Sequence, residues 1–264
     1  MIRIRGLKKS LNRQVVLDGV DLEVHEGETV VVMGPSGTGK SVLIKHIVGL
    51  FDPDEGTVEV DGISVPDADA REIERVRSQI SYVFQNSALF DSLTVGENIR
   101  LGLPAEACDS DPEGCWEKVR ESLEHVNLEE DVLPLLPAEL SGGMQKRVAL
   151  ARAIVGRKKY ILYDEPTTGL DPVNAARINE LIARLQDEIG LTSVVVTHDV
   201  ESAFFLGDRI ALLGEGRIRA LGTPRELHES DDPVVREFLT GMERLSRADR
   251  GARADAAAAG VGKP

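Results

Sequence analysis

The sequence predicts an α/β fold with a mainly parallel sheet, an antiparallel β subdomain and an inserted α-helical lobe. Three observations lead to this prediction. Strand-like apolar runs alternate with helical patterns in the second half of the chain, as they do in mainly parallel sheets. Near the N-terminus apolar residues alternate with charged ones, as they do in half-buried antiparallel strands. Between these regions, over about 86–155, leucines and charges recur in patterns typical of amphipathic helices.

The N-terminal elements follow from local patterns. The first two strands alternate apolar residues with basic and then acidic ones, whereas the third is a continuous apolar run that indicates burial on both faces. A glycine-rich turn separates this third strand from a helix. The pair Asp61-Gly62 after the fourth strand is a hairpin signal. The predicted strands are Ile2–Leu7, Val20–Val24, Glu28–Met33 and Thr57–Val60, and the predicted helix is Ser41–Leu50.

The C-terminal half returns to strands that alternate with helices, which argues for a mainly parallel sheet. We expect one domain over residues 2–240 with the helical lobe inserted at about 86–155. Residues 244–264 are rich in Arg, Asp, Ala and Gly, so they have little to bury and are predicted to form a disordered tail. The predicted strands are Tyr160–Tyr163, Ser193–Thr197 and Ile210–Leu213, and a helix is predicted near Ala175–Glu188.

Charge and composition narrow the classes of function. The formal net charge is −14, from 45 acidic and 31 basic residues. Such a field repels phosphate backbones, so we expect no nucleic-acid partner. No apolar run approaches the roughly 18 residues of a membrane span, and the first residues do not resemble a signal peptide. We therefore expect an unexported protein. Cys108 and Cys115 lack a zinc-ligand spacing and are interpreted as two incidental thiols. The alternative is a local disulfide, which would be unusual in a reducing compartment.

A phosphate-binding pattern, G-x-x-x-x-G-K-[ST], lies between the third strand and the following helix, where this motif must lie. Glycines allow several backbone N–H groups to converge on a phosphate, and the helix N-terminus adds partial positive charge. The pattern predicts a P-loop NTPase core, with Lys40 on the β- and γ-phosphates and the hydroxyl of Ser41 on Mg²⁺. The expected nucleotide-binding residues are Gly34, Pro35, Ser36, Gly37, Thr38, Gly39, Lys40 and Ser41.

Two carboxylates end the strand that starts at Tyr160. In a P-loop fold Asp164 is placed to hold Mg²⁺, and Glu165 is placed to polarise the attacking water. Buried strands rarely end in paired acids without a cation to face. Tyr163, just before them, is bulkier and more polar than an aliphatic residue, and we expect its hydroxyl to find a hydrogen-bond partner.

The segment Leu140–Arg147, LSGGMQKR, resembles the signature of the ABC ATPase family. A serine and two glycines at a helix N-terminus form a second anion-binding end. In that family this end caps the γ-phosphate held by the P-loop of the partner subunit. The resemblance therefore implies that Ser141, Gly142 and Gly143 complete the ATP site of another copy, in a head-to-tail homodimer that encloses two nucleotides.

Further motifs follow in the order of that family. The resemblance implies that Gln85 senses Mg²⁺ and the water, that Asp171 belongs to the loop crossing the dimer interface, and that His198 contacts the γ-phosphate and positions Glu165. Family members place an aromatic ring for adenine stacking where this chain has Leu11, or alternatively Val16. ATP with Mg²⁺ is expected, with looser selectivity for adenine over guanine.

The segments Gly34–Leu50, Phe84–Phe90 and Leu140–Arg147 look like those of ATPases from Mla/Mce-type phospholipid transporters, as does Asp232–Leu239. The resemblance implies integral membrane permease subunits, a lipid-binding Mce-type protein and, in some systems, a small regulatory subunit as partners. It also implies a peripheral location on the cytoplasmic face of the inner membrane. The alternatives are the ATPase of an amino-acid or other small-solute importer, a soluble ABC ATPase of nucleic-acid machinery, and a module that binds ATP without hydrolysing it.

Overall fold

A computed structural model describes residues 1–241 and contains two sheets flanked by helices. The α/β fold with a mostly parallel main sheet and a separate antiparallel sheet is confirmed. The predicted tail, 244–264, lies outside the described residues. The strands are β1 (Ile2–Leu11), β2 (Gln14–Val24), β3 (Thr29–Met33), β4 (Glu55–Val60), β5 (Ile63–Ser64), β6 (Ile80–Val83), β7 (Tyr160–Asp164), β8 (Thr192–Thr197), β9 (Arg209–Gly214) and β10 (Arg217–Gly222).

Helices pack on the sheets and form the inserted lobe. Two short 3₁₀ turns, Glu130–Val132 and Pro137–Glu139, lie within the lobe, and a further helix runs over 233–241. The α-helices are α1 (Lys40–Ile47), α2 (Ala70–Ser78), α3 (Val95–Arg100), α4 (Ala105–Ser110), α5 (Pro112–His125), α6 (Gly142–Ile154), α7 (Pro172–Ile189), α8 (Val200–Leu206) and α9 (Pro224–His228).

The six-stranded sheet has the order β10-β9-β3-β8-β7-β6. All its neighbours are parallel except β10, which pairs antiparallel with β9. The central strands β3, β7 and β8 are buried along their whole length, as their continuous apolar runs predict. Met33 is in register with Thr197, and Asp164 with Val196, so the carboxyl ends of these three strands form one edge. Ligands of open parallel sheets bind at this edge.

The four-stranded antiparallel sheet has the order β2-β1-β4-β5. The hairpin between β4 and β5 turns at Asp61 and Gly62, both with positive φ, as a two-residue turn of this kind requires. Bulges interrupt the pairing of β1 with β2, and both strands extend further than the predicted segments.

The main sheet separates two hydrophobic clusters. One joins the antiparallel sheet and α1 to one face, through residues such as Val30, Val32 and Leu162. The other packs α6, α7 and the lobe helices against the opposite face, through residues such as Val31 and Ile161. Adjacent strand residues point to opposite faces, so each central strand contributes to both clusters.

The predicted lobe contains α3 to α6, and Gly96 allows two of these helices to approach closely. A methyl group at Gly96 of α3 would come within 2.7 Å of the Trp116 ring on α5. The interpretation of two incidental thiols is wrong, because Cys108 and Cys115 form a disulfide between α4 and α5 with a Cα–Cα distance of 5.4 Å. Asp111 ends α4 and caps α5, so the chain turns between the two helices and brings the cysteines together.

Candidate functional site

The phosphate-binding loop connects β3 to α1 and leaves the first N–H groups of α1 without a side-chain cap. The N-cap residue is Gly39, whose φ of 99° lies in the left-handed region and whose lack of a side chain provides no capping oxygen. Uncapped N–H groups at a helix start are donors for an anion. The loop therefore has the unpaired donors that a phosphate needs.

Close packing requires glycine at two positions of this loop. A Cβ at Gly34 would lie 2.4 Å from the carbonyl oxygen of Leu213. A Cβ at Gly39 would lie 2.8 Å from Val16 Cγ1 and 2.9 Å from Leu17 Cδ2. Val16 and Leu17, rather than Leu11, are thus the aliphatic residues that pack against the loop, while Leu11 lies half-buried at the end of β1.

Lys40 is almost fully buried and lies inside the loop that it follows. Its Nζ donates to the carbonyl oxygens of Gly34 at 2.8 Å and Pro35 at 3.0 Å, and it lies 3.3 Å from Glu165 Oε1. The ammonium group is compact and has three donors, so it can exchange these carbonyls for phosphate oxygens without moving far.

Ser41 and Asp164 supply adjacent oxygen atoms beside Lys40. The hydroxyl of Ser41 donates to Asp164 Oδ1 at 2.7 Å, and the hydroxyl of Tyr82 donates to Asp164 Oδ2 at 2.8 Å. Oxygen donors of this kind suit Mg²⁺, which is usually bound by one or two protein ligands together with water and substrate phosphates. Within residues 1–241 no group of three or more His, Cys, Asp or Glu side chains could hold a metal alone. The residues therefore fit a magnesium ion that shares its ligands with a bound nucleotide.

Glu165 follows β7 and turns away from the strand direction, with a φ of 51°. His198, at the end of β8, places Nδ1 2.7 Å from Glu165 Oε2, and Thr168 donates to the same oxygen at 3.2 Å. Since Lys40 faces the other carboxylate oxygen, Glu165 is held on both sides. The strand ends thus bring Lys40, Asp164, Glu165 and His198 together.

These contacts also determine the protonation states. Burial alone would raise the pKa of Glu165, but the hydrogen bond from His198 and the positive charge of Lys40 hold that pKa below its usual value. The same hydrogen bond raises the pKa of His198, against the opposing effect of burial. The pair is therefore an ionised carboxylate beside an imidazole that is easily protonated.

Ser141 begins α6 and is exposed at the surface. Its hydroxyl accepts a hydrogen bond from the backbone N–H of Met144 at 3.3 Å. A methyl group at Gly143 would lie 3.9 Å from Asn174 Oδ1, so the start of α6 lies beside the first turn of α7. Within residues 1–241 no hydrogen bond connects Ser141, Gly142 or Gly143 with the phosphate-binding loop of the same chain.

Two other predicted site residues are not in contact with Lys40 or Asp164. Asp171 caps α7, accepting from the N–H groups of Val173 at 3.1 Å and Asn174 at 3.0 Å. Gln85 is exposed, and its side chain forms no hydrogen bond with the described residues; only its carbonyl oxygen is bound, by Lys146. The amide of Gln85 therefore does not reach the carboxylates in this structure.

Sequence reasoning missed the hydrogen bonds that α6 makes with the segment after β6. Lys146 donates to the carbonyl oxygen of Gln85. Arg152 donates to the carbonyl oxygens of Ser87 and Ala88, with both distances 2.7 Å. Ser87 and Ala88 both have positive φ, so the segment is tightly curled at this point. No sequence pattern signals these contacts, because they join residues more than sixty positions apart.

The expectation for Tyr163 is wrong, since its buried hydroxyl has no hydrogen-bond partner among the described residues. Alternation along β7 points Tyr163 and Asp164 to opposite faces, and Tyr163 enters an aliphatic cluster with Val83 and Val195. Burial raises the pKa of Tyr163 well above its usual value. The polar partner of the site is instead Tyr82, on β6.

Comparisons with known proteins agree with this geometry. A family model described as "ABC transporter" matches residues 17–168. The probable ribonucleotide transport ATP-binding protein Mkl of Mycobacterium leprae is 38% identical over 240 residues, covering 91% of this chain and 69% of that protein. The sulfate/thiosulfate import ATP-binding protein CysA of Pseudomonas syringae pv. tomato is 37% identical over 253 residues, covering 95% of this chain and 76% of that protein.

Among solved structures, the chain resembles a dimeric ATP-binding cassette in a post-hydrolysis state bound to ADP and Pi. The TM-score is 0.74 with 35% sequence identity, covering 85% of this chain and 99% of that one. In residues 1–241 no helix combines the length and the apolar character that crossing a bilayer requires.

Proposed function

This chain belongs to the ABC transporter family as an ATP-hydrolysing, ATP-binding domain, and from that premise we propose that it powers phospholipid transport between membranes with a permease of the Mla/Mce type. The observation that carries the enzymatic part is the convergence of Lys40, Asp164, Glu165 and His198 at one edge of the sheet. Members of this family use ATP with Mg²⁺. The residue roles that follow are part of the proposal.

In the proposed mechanism the phosphate-binding loop holds the β- and γ-phosphates by its N–H groups, and Lys40 exchanges its two carbonyl partners for phosphate oxygens. Bound Mg²⁺ supplies charge neutralisation on the phosphates, with Ser41 and Asp164 as its protein ligands. Glu165 orients the attacking water and accepts its proton: the contacts of the carboxylate fix its position, and its lowered pKa keeps it ionised and so free to accept. His198 keeps Glu165 in place through Nδ1.

The proposal includes a head-to-tail homodimer. The exposed Ser141 end of α6 forms no hydrogen bond with its own phosphate-binding loop within residues 1–241, which supports its use by another copy. In this arrangement Ser141, Gly142 and Gly143 cap the γ-phosphate bound to the partner, and Asp171 lies near the subunit boundary. Gln85 would reach the Mg²⁺ and water only after the segment beside Lys146 moves. Leu11 and Val16 provide aliphatic contact for the base.

Phospholipid as cargo rests on the local sequence likeness to Mla/Mce-type ATPases, including Met144 in the signature. The proposed partners are permease subunits in the inner membrane, a lipid-binding Mce-type protein and a small regulatory subunit. The ATPase would be peripheral on the cytoplasmic face. A second candidate, small-solute import, is favoured by the relative named as a sulfate/thiosulfate import protein.

Replacing the catalytic carboxylate tests the enzymatic proposal. Glu165→Gln should lower phosphate release by about 100-fold or more, since it removes the general base, while ATP binding and ATP-dependent dimerisation remain. Lys40→Ala should instead weaken nucleotide binding, measured by titration with a fluorescent ATP analogue. Glu180→Gln, at an exposed position on α7, is the matched control. A monomeric Glu165→Gln variant with full turnover would contradict the assignment.

The cargo is tested on the assembled transporter. The chain is purified with the membrane subunits that bind it and reconstituted with them in nanodiscs, and phosphate release is measured with and without added phospholipid acceptor vesicles or sulfate. Stimulation by phospholipid transfer supports the first proposal, and stimulation by sulfate supports small-solute import. Phosphate release that neither phospholipid vesicles nor sulfate stimulates counts against both proposals.

A further inference from the structure

Tyr82 is a polar residue of the main sheet that the mechanism above does not use. It lies on β6, next to β7 in the sheet, and its hydroxyl donates to Asp164 Oδ2 at 2.8 Å. The other carboxylate oxygen of Asp164 accepts from Ser41. Each oxygen of this buried carboxylate thus has one donor, and the two donors come from different elements of the fold.

The strand register explains why Tyr82 reaches this carboxylate. Tyr82 is opposite Leu162 in the parallel pairing of β6 with β7. Because side chains alternate along a strand, Leu162 and Asp164 share a face, and Tyr82 points to that same face. The Tyr82 ring also packs on Phe84, with ring centroids 4.3 Å apart. Two constraints, the ring contact and the hydroxyl bond, therefore fix the position of this side chain.

We propose that Tyr82 is a positioning residue for the magnesium site, holding the carboxylate of Asp164 so that Oδ1 stays directed at Ser41 and the cation. The inference rests on the proposed role of Asp164 as a magnesium ligand. A ligand carboxylate needs an outer partner to fix its plane, and losing such a partner commonly lowers metal affinity by about 10- to 100-fold. Ser41 still constrains Asp164 when Tyr82 is altered, so the lower end of that range is expected.

The hydroxyl, rather than the ring, is the group at issue, and the chain contains a natural comparison. Tyr163 lies on the adjacent strand, is fully buried and has a hydroxyl without a partner. Tyr82→Phe removes a hydroxyl that is hydrogen-bonded to Asp164 from the adjacent strand. Tyr163→Phe removes a hydroxyl that makes no hydrogen bond with the described residues, although Tyr163 directly precedes Asp164 in the sequence. Both variants keep their rings, so packing is conserved in each.

The test measures Mg²⁺ dependence of nucleotide binding rather than turnover. Binding of a fluorescent ATP analogue is followed while free Mg²⁺ is varied, and again in EDTA. For Tyr82→Phe the Mg²⁺ concentration at half-maximal effect should rise by about 10-fold, with binding in EDTA unchanged. Tyr163→Phe should behave as the wild type. In an Asp164→Asn background, Tyr82→Phe should have no additional effect, because its influence acts through that carboxylate.

Wild-type Mg²⁺ dependence in Tyr82→Phe would overturn the inference. An equal loss of binding in Mg²⁺ and in EDTA, or an equal effect of Tyr163→Phe, would also overturn it by pointing to general packing. If Tyr82→Phe does not fold, Tyr82→Met, a long side chain without a donor, should show the same rise of about 10-fold with binding in EDTA unchanged, and wild-type Mg²⁺ dependence in that variant counts against the role. Asp164→Asn with normal Mg²⁺ dependence would instead reject the magnesium-ligand role of Asp164 itself.

Discussion

Reducing the disulfide of the helical lobe should lower thermal stability by an amount set by its loop length. Cys108 and Cys115 are separated by seven positions and connect α4 to α5. In the chain-entropy description, a loop of this length stabilises the fold by about 2.4 kcal/mol. For a domain of this size, 1 kcal/mol corresponds to about 2–4 °C in Tm. We therefore expect reduction to lower Tm by roughly 5–10 °C.

The assay is thermal unfolding with and without a phosphine reductant. Cys115→Ser removes the bond and serves as the control: its Tm should match that of reduced wild type and should not respond to reductant. Labelling of unreduced, denatured protein with a maleimide should modify no thiol, since the described chain has no free cysteine. Labelling of both thiols, or a wild-type Tm that reductant leaves unchanged, would refute the reasoning.

Three further outcomes follow from the site. His198→Ala should destabilise the protein most at about pH 6, and the Tm difference from wild type should shrink as pH rises. The folded state raises the pKa of His198, so the stability that protonated His198 contributes is lost as pH rises through that pKa. A pH-independent Tm difference would contradict the ion pairing with Glu165. Leu11→Tyr should tighten ATP binding over GTP in a competition titration, as a ring would stack on the base, and unchanged selectivity would place the base elsewhere. Gly39→Ala should abolish nucleotide binding, because the added methyl would meet Val16 at 2.8 Å in a backbone that disfavours side chains; normal binding would show that the loop can relax.

Much of the core could be predicted because its strands are buried on both faces. Continuous apolar runs, β-branched in β3 and β8, locate β3, β7 and β8, and residues after such runs must meet at the same edge of a parallel sheet. This is why Asp164 and Glu165 could be placed beside Lys40 from local patterns, whereas His198 was placed through the family resemblance.

The remaining features depend on contacts that no local pattern encodes. The partner of Asp164 comes from β6, about eighty residues earlier, and its identity needs the register of two strands. The prediction for Tyr163 was wrong because its hydroxyl was assumed to find a hydrogen-bond partner, whereas the face of the sheet to which Tyr163 points is aliphatic. The prediction of two unpaired thiols was wrong because the turn at Asp111, which brings α4 against α5, was not anticipated.

The left-handed backbone at Glu165 has a consequence for choosing variants of this proposed catalytic base. A side chain in that conformation costs about 1 kcal/mol or more, and glycine avoids this penalty. Glu165→Gly would therefore relieve the main chain while deleting the acid, and its stability and turnover would report two changes at once. Glutamine keeps the same steric demand and the same length, so Glu165→Gln, unlike Glu165→Gly, removes the carboxylate charge without also relieving the strained main chain.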